Sequence, residues 1–330
     1  MSMFKVAHVS DMHISANPRL KNFLEYIKMK AAGRLPNDTS LPSDHQTYWQ
    51  SSHCPEVARA AARFLSKKLL DHQIILMSGD LATTGIEEDL RRAARYVREH
   101  PSSQRQYISI TGLPTLAFRR NAMVMPGNHD RFQNRECLSG GTHFEHHFDP
   151  LWEKPLTRVR IAYAENKTLG KKLFFVLGDF CLHSNSDAVP PWMLFYGGQG
   201  TVSPVVLDEM VRSTKFIKSN FKDDGIIWVS HFPPTGKIAT MLPYLMLNGY
   251  PRLISQANEL GIDYIMSGHL HDPGEFTEGG VEILCAGALC TFVEEKGNWI
   301  HSWEFDVQNG KTTLTNKNRY KYDDNRNVFC

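Results

Sequence analysis

Aspartate, asparagine and histidine are grouped in this chain in a way that suits metal-assisted hydrolysis. The groups are Asp11-Met12-His13, Gly79-Asp80, Gly127-Asn128-His129-Asp130, His231 and Gly268-His269-Leu270-His271. Asp and His are hard-to-borderline ligands and an Asn oxygen is a neutral donor. No Cys stands among them, so a thiolate-demanding site is disfavoured and Mn, Fe, Co, Zn or Mg remain open. Seven such residues are too many for one six-coordinate ion that must keep a position open. They suit two ions sharing a carboxylate, about 3.5–4 Å apart. Charge agrees with that count. Two divalent ions carry four positive charges, Asp11 and Asp80 remove two, and a bridging hydroxide removes a third. What remains matches a phosphodiester monoanion.

Each group alone has an ordinary explanation. A Gly-Asp after a strand is commonly a turn, and an Asp-x-His or a single buried His commonly caps or hydrogen-bonds. Gly268-His269-Leu270-His271 is more informative, because alternate residues of an extended segment point the same way and make a two-histidine clip. Gly127-Asn128-His129-Asp130 is the most specific stretch, and all five groups in this order leave the ordinary explanation little room.

The elements that must position these groups are legible as apolar runs. Lys5 to Val9, Ile74 to Met77, Ala122 to Met125, Ile226 to Val229 and Tyr264 to Met266 each read as a buried strand that directly precedes a group. If the strands lie side by side, the residues converge at one sheet edge, where sites of open α/β sheets form. Helices are expected at 22–30, 55–70, 87–100 and 203–219. The last has Ser203-Pro204 as N-cap and first helical position. Leu173 to Leu177 and Phe180 to Leu182 read as strands, and 190–200, with Trp192 and Tyr196, as an apolar loop. From Phe276 to Thr315 the chain alternates apolar and polar residues around Gly279-Gly280, Gly297-Asn298 and Asn309-Gly310, which predicts antiparallel hairpins. The polar stretch 33–53, with His45, Tyr48, Trp49 and His53, reads as an insertion that could cap the site.

Because the groups run from residue 11 to residue 271 of 330, any cut would divide the site. One domain over 1–330 is expected, α/β in class. A net charge of +2 gives no lean toward nucleic acid or an anionic membrane. No apolar run reaches the length of about 20 residues that a membrane span needs. The N-terminus enters a strand directly, which leaves no room for a secretory signal. Cys54, Cys137, Cys181, Cys285, Cys290 and Cys330 show no zinc-binding spacing. They read as reduced thiols of a cytoplasmic protein.

Asp-x-His, Gly-Asp, Gly-Asn-His-Asp, His and Gly-His-x-His in this order resemble the calcineurin-like metallophosphoesterase superfamily, over residues 4 to about 290. Within it the chain looks most similar to the bacterial cyclic-nucleotide phosphodiesterase branch. The resemblance implies two mixed β-sheets packed as a sandwich with helices outside. It implies that Asp11, His13 and His271 bind one metal, that Asp80 bridges, and that Asn128, His231 and His269 bind the second. The pair would be divalent or mixed-valence, Mn and Fe first, with Zn, Co or Mg also compatible. His129 would be the non-ligand histidine facing the leaving group. Phosphoprotein phosphatases of the superfamily continue into Asp-Arg-Gly, whose Arg grips phosphate. Here the chain reads Asp80-Leu81-Ala82-Thr83-Thr84-Gly85.

The reaction expected is in-line attack by a metal-bridging hydroxide on phosphorus, with His129 protonating the leaving alkoxide. Asp130 either orients that imidazole or caps the next turn. His143, His146 and His147 either line the mouth of the site or are solvated. The expected partner is a small phosphodiester such as a cyclic nucleotide. A nuclease or a nucleoside-diphosphate-conjugate pyrophosphatase of the same superfamily is the alternative. A non-catalytic scaffold would be expected to have lost ligands that this chain keeps.

Overall fold

The structure is a computed structural model; it describes residues 3–14, 54–67, 72, 74–83, 85–98, 122–131, 141, 143–148, 158–181, 199–241, 245–290 and 297–330. The predicted helix at 22–30, the insertion at 33–53 with His45, Tyr48, Trp49 and His53, the irregular stretch 102–120, Cys137, and the loop residues Trp192 and Tyr196 lie outside the described residues.

The described strands are β1 (Met3–Val9), β2 (Ile74–Met77), β3 (Ala122–Val124), β4 (Val159–Asn166), β5 (Lys171–Gly178), β6 (Gly200–Thr201), β7 (Gly225–Val229), β8 (Leu247–Asn248), β9 (Tyr264–Ser267), β10 (Gly274–Glu278), β11 (Val281–Cys285), β12 (Trp299–Gln308), β13 (Lys311–Asp323) and β14 (Val328–Phe329). The helices are α1 (Pro55–Lys67), α2 (Glu87–Arg98), α3 (His143–Phe148), α4 (Pro204–Asn220), α5 (Gly236–Met241) and α6 (Tyr250–Glu259). One six-stranded sheet runs β14-β13-β12-β1-β2-β3 and a second runs β10-β11-β9-β7-β5-β4. Both are mixed. β1, β2 and β3 are parallel with β12 antiparallel beside β1, and β5, β7, β9 and β11 are parallel with β4 and β10 antiparallel at the edges.

Alternation along the strands of the second sheet separates two cores. Leu173, Phe175, Leu177, Ile227, Val229, Met266 and Leu284 face the first sheet, where they join Val6, Phe305 and Val307 in one buried cluster. The intervening Phe174, Val176, Ile226, Trp228 and Ile265 face outward under α4 and α6, packing with Leu207, Met210, Ile217 and Leu253. β7 and the stretch 173–177 of β5 are apolar at every position because both faces are covered there, whereas the edge strands β4 and β10 are not.

The five strands that precede the site groups do not share one sheet edge. β1, β2 and β3 lie in the first sheet, β7 and β9 in the second, so the site forms where the carboxyl ends of two face-to-face sheets meet. Two further expectations are corrected, and one strand was not foreseen. Gly297-Asn298 turns no hairpin: β11 ends in the second sheet and β12 belongs to the first, so the chain crosses between sheets there. Phe180 and Cys181 are buried but not strand, and Leu182 lies outside the described residues. Val159–Asn166 is a strand that alternation had not singled out; it is a half-exposed edge with a weak apolar face. The turns at Gly279-Gly280 and Asn309-Gly310 do join antiparallel pairs. Ser203 precedes α4 in an extended conformation, with Pro204 at the helix start, but makes no side-chain cap bond. Cys54, Cys181, Cys285, Cys290 and Cys330 are free thiols. Among the described residues no helix is long and apolar enough to cross a membrane.

Candidate metal centre

The loops after β1 and β2 run together. Asp11 N–H donates to Gly79 O (3.0 Å), His13 N–H to Asp80 O (2.9 Å) and Ile14 N–H to Leu81 O (2.9 Å). From the second sheet, Gly268 N–H donates to His231 O (2.9 Å), and Leu289 N–H reaches across to Ser10 O (2.9 Å). This lacing holds Asp11, His13, Asp80, His269 and His271 with positive φ, from 47° to 73°. Side chains other than Gly rarely adopt that region, and clustering of such residues is a signature of a site whose geometry is imposed by its surroundings. Gly79, with φ +114°, and Gly127 answer to close approach: a Cβ on Gly79 would lie 2.3 Å from His231 Nδ1, and one on Gly127 would lie 2.1 Å from Asp80 Oδ1.

The side chains gather into two triads with Asp80 between them. Asp11, His13 and His271 form one group and Asp80, His231 and His269 another, the ligand atoms of each within 4.8 Å of one another. A third such set joins His13, Asp80 and His129. His13 Nε2 and His271 Nε2 are 3.1 Å apart, a separation that suits two nitrogens each about 2.0–2.1 Å from one ion. Asp11 Oδ1 lies 3.5 Å from His271 Nε2 and 3.9 Å from His13 Nε2. Asp80 Oδ2 lies 3.7 Å from His13 Nε2 and 3.4 Å from His231 Nε2, facing both triads. Asn128 Oδ1 is 3.0 Å from His231 Nε2, which adds Asn128 to the second triad.

The donor chemistry fits cations. Asp11 Oδ1 and His269 Nε2 are buried without a hydrogen-bond partner among the described residues, which is costly unless something else satisfies them. Burial, reinforced by neighbouring histidine charge, keeps His13 and His269 well below the ordinary histidine range, the neutral form that ligates metal. Burial opposes charge on His231 as well, but the Asp80 carboxylate outweighs it and lifts His231 to about 9. A proton thus stands there where a metal would stand. Burial likewise opposes charge on Asp80, yet His231 and His129 hold it well below the usual carboxylate range. Orientation comes from backbone and packing. His231 Nδ1–H donates to Ser78 O (2.8 Å), leaving Nε2 aimed inward. Asp11 Oδ2 accepts from His269 N–H (2.9 Å), and the buried Phe232 ring stands edge-on to His269 with centroids 4.5 Å apart.

His129 stands beside the triads. Its Nδ1–H donates to Thr83 O (2.8 Å), its N–H donates to Asp80 Oδ1 (2.9 Å), and its ring meets His13 edge-on with centroids 4.5 Å apart. Of the two roles open to Asp130, the geometry is that of the cap. Its carboxylate accepts from the backbone N–H groups of Ala82 (2.8 Å), Gly127 (2.9 Å) and Leu81 (3.0 Å), and the bond that orients the His129 imidazole comes from a carbonyl instead. Burial and the nearby Asp80 charge push Asp130 up to about 7. His143 and His146 are exposed on α3 and His147 is half-buried; none of the three belongs to the clusters.

Reasoning from the sequence missed Thr83, whose hydroxyl also donates to His13 O. It also missed the buried set Arg131, Glu145 and Asp179. A signal for the last was present, since Gly178-Asp179 follows the apolar run of β5 just as Gly79-Asp80 follows β2.

The calcineurin-like phosphoesterase family model matches residues 4–273. The chain belongs to that family. Membership places it among metal-dependent phosphoester hydrolases that use two divalent ions, and the two triads are where this chain can hold them. No curated protein matches the chain. Among solved structures, a dimetal phosphatase from Danio rerio is 12% identical, with 94% of this chain and 98% of that chain covered and a TM-score of 0.51. The purple acid phosphatase PPD1 from yellow lupin is 12% identical over 100% of this chain and 55% of that one, with a TM-score of 0.46. GAP50 from Plasmodium, described as the anchor in the inner membrane complex, is 11% identical over 99% and 91%, with a TM-score of 0.45. At such identities the first of these likenesses shows the shared fold and no more.

Proposed function

We propose that this family member is a phosphodiesterase acting on a small nucleotide-like phosphodiester, with cyclic nucleotides as the first candidates. In this reading Asp11, His13 and His271 hold one ion, Asn128, His231 and His269 hold the other, and Asp80 is shared. The observation that carries it is the placement of the Asp80 carboxylate between the two triads, with Oδ2 within 3.7 Å of His13 Nε2 and within 3.4 Å of His231 Nε2. The bound pair would supply Lewis acidity and an activated water.

The chain's own contribution is to place charge and a proton. Asp11 and Asp80 provide the two carboxylates that would face two divalent ions, and with one hydroxide counted beside them a single positive charge would remain, suited to a monoanionic diester. His129 is held by Thr83 O through Nδ1–H, so Nε2 is the atom that gives a proton to the leaving oxygen. Leu81, Ala82 and Thr83 follow Asp80 with buried side chains and hydrogen-bonded backbone, where a phosphoprotein phosphatase would place its phosphate-gripping Arg. That difference argues against a phosphoprotein substrate. Two experiments test the reading. The metal-loaded protein is assayed on cyclic nucleotides, dinucleotides, nucleoside diphosphate conjugates, single-stranded DNA and phosphate monoesters; turnover of monoesters alone would overturn the diester assignment. His129→Ala should keep both metals while kcat falls by about 10²–10⁴ on an alkoxide-leaving substrate and little on a nitrophenyl diester, which needs no proton. Equal loss on both would mean that His129 binds phosphate instead.

A further inference from the structure

We propose that Arg131 is a positioning residue of the site: its buried guanidinium ties the turn that carries Asn128 and His129 to the carboxyl end of β5 and so sets the direction of the His129 imidazole. The inference rests on His129 being the proton donor. Residues His129–Arg131 form a single tight turn, closed by Arg131 N–H donating to Asn128 O (3.1 Å), so Arg131 cannot shift without moving both neighbours. β3, which delivers the turn, has three residues and, among the described residues, pairs with β2 alone at the edge of its sheet. So short a ladder holds its end weakly.

α3 and the carboxyl end of β5 supply the support. Arg131 Nη2 lies 2.5 Å from Asp179 Oδ2 and 2.6 Å from Glu145 Oε1, and Nη1 lies 2.7 Å from Glu145 Oε2. Nη1–H also donates to Gly141 O (3.1 Å), and the Phe144 ring packs 5.4 Å from the guanidinium carbon. Asp179 follows β5 directly and is seated in turn: its N–H donates to Arg158 O (2.8 Å), and its Oδ1 accepts from Cys181 N–H (2.9 Å). Cys181 Sγ reaches Pro126 O at 3.5 Å, so the end of β5 holds the motif on both sides of Asn128 and His129. Arg131 is fully buried, and Arg158 shares Glu145 with it. A planar fork between two carboxylates fixes direction in a way that a single ammonium does not.

The test uses the metal-loaded full chain, with kcat measured on a nitrophenyl phosphodiester and on a 3′,5′-cyclic nucleotide, and metal content measured beside it. Arg131→Lys keeps charge and loses the fork. It should retain both ions and lose at least tenfold more kcat on the cyclic nucleotide than on the nitrophenyl diester. In the Arg131→Lys, His129→Ala double variant the Arg131 change should cost nothing further on the cyclic nucleotide, because residues acting as a unit are not additive. Asp179→Asn carries the same expectation should Arg131→Lys not fold. Equal loss on both substrates, or fully additive loss in the double variant, overturns the inference while leaving His129 as donor. If His129→Ala itself shows no dependence on the leaving group, the donor role fails and this inference fails with it.

Discussion

Gly127→Ala adds one methyl group at the point where two loops touch. That methyl would lie 2.1 Å from Asp80 Oδ1, 2.3 Å from Asp80 N and 2.7 Å from Asp80 Cγ. A carbon-to-oxygen contact relaxes to about 3.3 Å or more, so the carboxylate and the motif must separate by about 1 Å. The carboxylate could swing on its own, but the backbone nitrogen could not, since Asp80 already stands at φ 52° and its carbonyl accepts from His13. The displacement therefore passes to the group that faces both triads. A misplacement of about 1 Å at a reacting centre is worth on the order of 10²-fold in rate, and occupancy of both ions should drop together. The assay is kcat on a nitrophenyl phosphodiester, with elemental analysis and a thermal melt of the same preparation. If the variant melts lower yet holds two ions and turns over at the wild-type rate, Asp80 is not where the chemistry depends on it.

Chelation should abolish turnover, and Mn or another borderline metal should restore it; full activity in stripped protein would refute the metal centre. Asp80→Ala should lose both ions, and two metals per chain in that variant would rule out a shared carboxylate. Burial pushes His8 down to about 3 from 6.5, so below pH 6.5 the unfolded chain binds a proton that the folded chain refuses. Stability should therefore fall as pH drops from about 6.5 toward 3, with His8 contributing up to about 1.4 kcal/mol per pH unit. His8→Gln should flatten the acid side of a melting-temperature profile, and an unchanged slope would mean that His8 is not the group responsible.

Residues 11–13, 79–80, 127–130, 231 and 268–271 were identifiable without coordinates because their chemistry is local. An apolar run ending in Gly, Asp, Asn or His marks a strand and the loop it delivers, and Ile74–Met77 is found with those bounds. The order of those groups carried the resemblance to the family, and the two-sheet class was what that resemblance implied. Which strands share a sheet did not follow, because pairing depends on partners far apart in the chain: β7 and β9 prove to face β1, β2 and β3 from the second sheet. The direction of a side chain at a tight turn was equally hidden. Asp130 could have met an imidazole or a row of amides, and only the approach of Leu81 and Ala82 puts three N–H donors around it. Arg131 gave no local sign at all, since a charged residue next to a motif reads as solvated. Glu145 and Asp179 bury it, and it took the packing of α3 and β5 against one turn to bring them there.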